Sequence, residues 1–160
     1  MMTLSWAMIG RLGGVVAIGC VFVVMLNVQP RWYAGLNLSE SLPHWAFIVD
    51  RGELPGRGEL AVFPAPETAA YHGLFVKRIV GVAGDRIEVE GRRVSVAGDW
   101  SGVALNESRE GRGLEPIAPG IIPEGYVFAV TDALDSYDSR YAEIGLIAVE
   151  TIEGRAIPVL

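Results

Sequence analysis

Gly73-Leu74-Phe75-Val76-Lys77-Arg78-Ile79-Val80-Gly81-Val82 is the most apolar run in the chain after its amino-terminal stretch. Val, Ile and Phe favour a pleated, half-buried surface, and the run is set off by glycine-bearing turns, which together read as a strand. Alternate residues of a strand share a face, so Lys77 lies with Phe75 and Ile79. The chain holds 12 arginines and this one lysine. Among such neighbours the amine reads in two ways. Either it snorkels from a half-buried strand beside Arg78, or it is buried, and desolvation lowers its pKa until it can act as a base near neutral pH. Arginine has no such option, because its guanidinium stays protonated.

Outward from this run the pattern repeats. Ala46–Val49, Glu59–Phe63, Arg86–Val89, Arg93–Val96 and Tyr126–Val130 are further short β-rich segments, parted by Gly, Pro, Asp and Asn. Glu90-Gly91-Arg92 joins two of them as a hairpin, with Gly91 at the positive-φ position. Gly145–Glu150 and Ile152–Val159 read as a closing pair of strands. Residues 98–124 are rich in Gly and Pro with mixed charge, and read as a surface excursion outside the core. No helical period appears after residue 30, so the body, residues 30–160, is all-β.

Residues 1–29 differ in kind. Leu12–Val28 carries no charge, and as a helix it spans about 25 Å, close to a hydrocarbon core of about 30 Å. No small-x-small cleavage site follows, whereas Pro30, Arg31, Trp32 and Tyr33 read as a helix stop and an interfacial aromatic belt. The segment is therefore expected to be an uncleaved membrane anchor. Arg11 near the amino terminus gives a weak positive-inside bias that leaves the body extracytoplasmic. From residue 29 onward there are 12 Arg and Lys against 19 Asp and Glu. An acidic domain without a basic stripe is a poor nucleic-acid binder. Cys20 is the only cysteine and lies in the apolar run, and His44 and His72 are far apart. No disulfide, metal site or cofactor is expected.

Two further stretches carry chemistry-bearing side chains. Asn37-Leu38-Ser39-Glu40-Ser41-Leu42-Pro43 alone is a loop, and Asp135-Ser136-Tyr137-Asp138-Ser139-Arg140-Tyr141 alone is a turn with an Asp–Arg ion pair. In this order with Lys77-Arg78-Ile79-Val80-Gly81-Val82-Ala83-Gly84-Asp85, they resemble the signal peptidase I family of serine/lysine peptidases. Asp138-Ser139-Arg140 is similar to that family's DSR box, and Arg57–Phe63 to the run before its lysine strand. Ser41-Leu42-Pro43, with Asn37 and Ser39, resembles the smaller conjugative-transfer, TraF-type branch. The resemblance implies a signal-peptidase-like antiparallel β catalytic domain behind one amino-terminal transmembrane helix. It implies Ser41 as nucleophile and Lys77 as general base, a dyad that needs no histidine. Ser39 matches an oxyanion-hole hydroxyl, Ser136 a serine that orients the lysine, and Asp138 with Arg140 a structural pair nearby. Val130-Thr131-Asp132 departs from the Gly-Asp-Asn of the general family, and Trp45 stands where the conjugative branch often has Gly. His44 and His72 match no role.

The implied activity is endoproteolysis of secreted or membrane precursors on the outer face of a bacterial inner membrane. The short body and the Ser-x-Pro spacing favour maturation of a conjugative pilin or related transfer protein. The partners would be that precursor and the lipid bilayer. A general signal peptidase is the alternative within the class. A self-cleaving repressor-type peptidase would need a DNA-binding amino-terminal module, which the apolar run replaces. A non-catalytic membrane-tethered β-domain of an export or conjugation apparatus is the non-enzymatic alternative. Leu42, Trp45 and Phe47 are expected to lie against the bilayer surface.

Overall fold

The computed structural model describes residues 30–36, 42–44 and 46–159. Eleven strands are present among them: β1 (Trp32–Leu36), β2 (Ala46–Asp50), β3 (Leu60–Pro64), β4 (Leu74–Gly81), β5 (Arg86–Glu90), β6 (Arg93–Val96), β7 (Trp100–Val103), β8 (Gly120–Ile121), β9 (Tyr126–Val130), β10 (Ile147–Ala148) and β11 (Gly154–Pro158). The larger sheet runs β1-β2-β11-β3-β4-β9-β10 and the smaller β7-β6-β5-β8. All strand pairings described are antiparallel. The body is all-β.

Alternation along the strands sorts the apolar side chains into three clusters. On β3, Leu60 and Val62 face one way, with Phe47, Val49 and Leu42. Ala61 and Phe63 face the other, with Ile79 of β4 and Val127 and Ala129 of β9. The intervening residues of β9, Phe128 and Val130, pack against Ile87, Val94 and Val96 of the smaller sheet. Gly81 permits that contact. A Cβ there would stand 2.6 Å from Val96 Cγ1 and 2.7 Å from Ile122 Cδ1. In the β5–β6 hairpin, Gly91 supplies the positive φ of 62° that a two-residue turn demands.

Four expectations are corrected or refined. Residues 98–124 are not merely a surface excursion. They form β7 and β8, and they bury Ala104, Leu114, Ile117 and Ile122 in the cluster of Phe128 and Val130. Their irregular backbone is satisfied by a side chain. The Arg92 guanidinium donates to the carbonyls of Ala104 (2.8 Å), Leu105 (2.5 Å) and Leu114 (2.5 Å). Secondly, the last two strands do not pair with each other. β10 adds to β9, a 3-10 turn at Val149–Thr151 follows, and β11 inserts between β2 and β3. Thirdly, Tyr33, expected in an interfacial belt, is a half-buried strand residue. It sits on β1, packs on the cluster of Phe47 and Val49, and its hydroxyl donates to Glu153 at 3.0 Å. Lastly, Leu42 and Phe47 are core, at 8% and 1% exposure, because the inner face of β2 covers the sheet. Trp45 lies outside the described residues.

The chain divides into two units, Met1–Arg31 and Trp32–Leu160, and all eleven strands belong to the second. No helix among the described residues is long and apolar enough to cross a membrane. The expected anchor, residues 1–29, lies outside them.

Candidate active site

Lys77 sits on β4 opposite Ala61 of β3, on the same face as Ile79. Its residue exposure is 5%. Nζ donates a hydrogen bond of 2.8 Å to Ser136 Oγ and lies 5.5 Å from the centre of the Phe75 ring. Burial strips the amine of water and brings its pKa from 10.5 down to about 8. The Asp138 carboxylate pulls it back up, and the Arg140 guanidinium pushes it down again. These two charges form an ion pair of 2.9 Å, so their effects on Nζ oppose each other.

Ser136 is held by the loop that leaves β9. The chain turns and comes back beside the strand. Ser139 Oγ accepts from the Ala129 amide at 3.1 Å, and the Ser139 amide donates to the Ala129 carbonyl at 3.1 Å. The Asp138 carboxylate accepts from the Thr131 amide and from Arg140. Arg140 then donates to the carbonyls of Ala133 (2.8 Å), Leu134 (3.3 Å) and Ser136 (3.1 Å). One buried guanidinium thus fixes three carbonyls of the turn that presents Ser136 to Lys77. Such charge-assisted bonds are the strong ones, and in a buried site they leave the turn little freedom.

Lys77 and Ser136 open onto a cleft of about 1070 Å³. Leu36, Leu74, Phe75 and Leu105 give it apolar lining, and Glu107, Arg109, Glu110 and Asp135 give it a charged wall. Residues 107–110 belong to the segment read as a surface excursion, so this wall had no local signal in the sequence. It is tied to the Ser136 loop by an Arg109–Asp135 bridge of 2.5 Å, and Glu110 accepts from the Tyr71 hydroxyl. His72 also borders the cleft, exposed. His44 stacks edge-on against Phe47.

Ser39 and Ser41 lie outside the described residues. Of the described residues on either side, Leu36 lines the cleft, and Leu42 is buried in the cluster to which Val76, next to Lys77, also packs. The structure brings Lys77, Ser136, Asp138 and Arg140 together. A buried amine with a depressed pKa, hydrogen-bonded to a hydroxyl at the floor of an open cleft, can accept a proton from a nucleophile delivered there.

The sequence profile described as "Signal peptidase, peptidase S26" matches residues 5–160. A "Probable conjugal transfer protein TraF" of Sinorhizobium fredii (strain NBRC 101917 / NGR234) is 32% identical over 157 residues, covering 84% of this chain and 81% of that protein. A "Conjugal transfer protein TraF" of Agrobacterium fabrum (strain C58 / ATCC 33970) is 28% identical over 163 residues, covering 92% of this chain and 88% of that protein. Among solved structures, a signal peptidase I from Enterococcus faecalis V583 aligns with a TM-score of 0.40 at 22% identity, covering 63% of this chain and 95% of that one.

Proposed function

The chain belongs to the signal peptidase family, peptidase S26, and from that premise we propose a membrane-anchored serine endopeptidase with Ser41 as nucleophile and Lys77 as general base. Residues 1–29 anchor it in the bacterial inner membrane, and the β-domain works on the extracytoplasmic side. Its substrates are secreted or membrane precursor proteins. The two TraF relatives are named for conjugal transfer, which supports maturation of a conjugative pilin or another transfer protein over general removal of signal peptides.

The reaction follows from the chemistry of a desolvated amine. Neutral Lys77 Nζ takes the hydroxyl proton of Ser41 as Oγ adds to the scissile carbonyl. Oxyanion charge is held by the Ser39 hydroxyl and the Ser41 amide, each such donor contributing about 100-fold or more in rate. The resulting Lys77 ammonium returns its proton to the leaving amine as the C–N bond breaks. Water, deprotonated in turn by Lys77, then releases the acyl group from Ser41. Ser136 accepts one N–H of Lys77 and thereby aims the nitrogen lone pair.

The observation that carries this reading is the burial of Lys77 at the floor of the cleft, bonded to Ser136. The test is co-expression of the full chain with precursors encoded beside it, with mass spectrometry of the products. Cleavage by the parent chain that disappears in Ser41→Ala and in Lys77→Ala supports the dyad. Cleavage that survives either substitution rejects it.

A further inference from the structure

One buried polar group has no place in this mechanism. Thr131 follows β9 directly and is 2% exposed, yet its Oγ1 has no hydrogen-bond partner. Among the described residues two other buried side-chain atoms share that condition, Arg112 Nη2 and Arg155 Nε. Both belong to guanidiniums that are anchored through another nitrogen. Thr131 has only the one hydroxyl. Folded proteins rarely leave a buried hydroxyl unpaired, because its water has been removed with nothing in exchange.

Strand register locates this hydroxyl. Ile79 of β4 pairs with Ala129 of β9, and Arg78 with Val130. Carried one step past the last paired rung, the same register would set Lys77 against Thr131. The strand alternation continues that far. The amides of Ala129 and Thr131 both turn away from β4, to Ser139 Oγ and Asp138 Oδ2. On that continuation Lys77 and Thr131 would form a close, non-hydrogen-bonded rung, about 4.5 Å between Cα atoms, with both side chains on one face. Ile79 and Ala129, the rung below, already share that face in the second cluster.

Lys77 Nζ makes one hydrogen bond among the described residues, to Ser136. A neutral amine at this depth is content with few acceptors. An ammonium has three N–H donors, and a buried one needs acceptors for them. We propose that Thr131 is a positioning residue, its hydroxyl turning to accept a hydrogen bond from the Lys77 ammonium that forms when Ser41 gives up its proton. The inference rests on the reading of Lys77 as general base. It gives the unpaired hydroxyl a partner in the one step where the site carries an extra charge. Asp138 and Arg140, the charged groups that act on Lys77, spend their hydrogen bonds on each other and on the backbone.

Because Lys77 is the only lysine, full-length protein in detergent micelles grown on lysine labelled with 13C at Cε gives a single side-chain signal to titrate by NMR. A Thr131→Val variant replaces the hydroxyl with a methyl of nearly the same shape. Its Lys77 midpoint is expected about one unit below that of the parent chain, the size of a lost bond to a charged group. Thr131→Ser keeps the hydroxyl and is expected to restore the parent midpoint. Thr131→Ala repeats the measurement should the valine variant fail to fold. An unmoved midpoint in Thr131→Val or Thr131→Ala overturns the proposal. An equal fall in Thr131→Ser also overturns it, by assigning the effect to methyl packing. The titration needs no turnover, so it is read separately from the cleavage test of Lys77→Ala, which addresses the general-base reading itself.

Discussion

Replacing Lys77 by methionine is expected to stabilise the protein near neutral pH while removing its proposed base. Methionine keeps the length and apolar stem of the side chain but carries no charge to desolvate. In the folded protein Lys77 titrates at about 8, against 10.5 for the ordinary side chain. The folded pKa is the lower one, so between those two values the unfolded chain binds more protons, and stability rises with pH. Below about pH 8 the whole penalty is present. A shift of this size corresponds to about 3 kcal/mol, and at 5% exposure there is little solvent screening to discount. Against it stands the lost Nζ–Ser136 hydrogen bond, about 1 kcal/mol. The methionine variant should thus be about 2 kcal/mol more stable at pH 7, or about 5 °C in Tm for a chain of this size. Its advantage should vanish, and then reverse, as pH rises through 8 to 10.5. Thermal unfolding of both proteins by circular dichroism across that range measures the difference directly, and the other titrating groups cancel in it. A gap that stays constant with pH would show that the amine is not desolvated, and the proposed base would lose its physical ground.

Activity should follow the same group. Cleavage in kcat/KM is expected to fall about tenfold per unit below about pH 8, as Lys77 takes a proton, and Lys77→Arg should be as inactive as Lys77→Ala; a flat profile to pH 5, or a working arginine variant, would contradict a general-base role. Asp138→Ala leaves the buried Arg140 guanidinium without its counter-charge, and should cost about 3–5 kcal/mol, read as a Tm loss near 10 °C. Gly81→Ala drives a methyl to within 2.6 Å of Val96 and 2.7 Å of Ile122. A loss of about 1–3 kcal/mol is expected in chemical unfolding, and an unchanged midpoint would mean the two sheets give way freely.

The sequence exposed some of this design and hid the rest for physical reasons. Strands such as Tyr126–Val130 and Leu74–Gly81 announced themselves because β-branched and aromatic residues are concentrated in them between turn residues. Its neighbours on one strand face offered burial of Lys77 as one of two local readings, and the structure selects it at 5% exposure. The charged cleft wall at 107–110 did not, because an irregular segment is held in place by Arg92 and by partners such as Asp135, far along the chain. Trp32 and Tyr33, read with Pro30 and Arg31 as a membrane boundary because an aromatic pair after an apolar run has that signature, open the strand Trp32–Leu36. Its pairing with β2 is a long-range fact that five residues cannot encode. The vacancy at Thr131 Oγ1 was also beyond reach, since a missing partner becomes visible only when all the neighbours are in place.

The order of the larger sheet sets a schedule for the protein's own birth. β11, the last of the described strands in chain order, occupies the place between β2 and β3. Until it emerges, the strand that carries the lysine and the strand near the serine loop belong to separate half-sheets with nothing to align them. Non-local closure of this sort is slow and comes late in folding. On the proposed function, a site assembled in that sequence becomes competent only once β11 has closed the sheet.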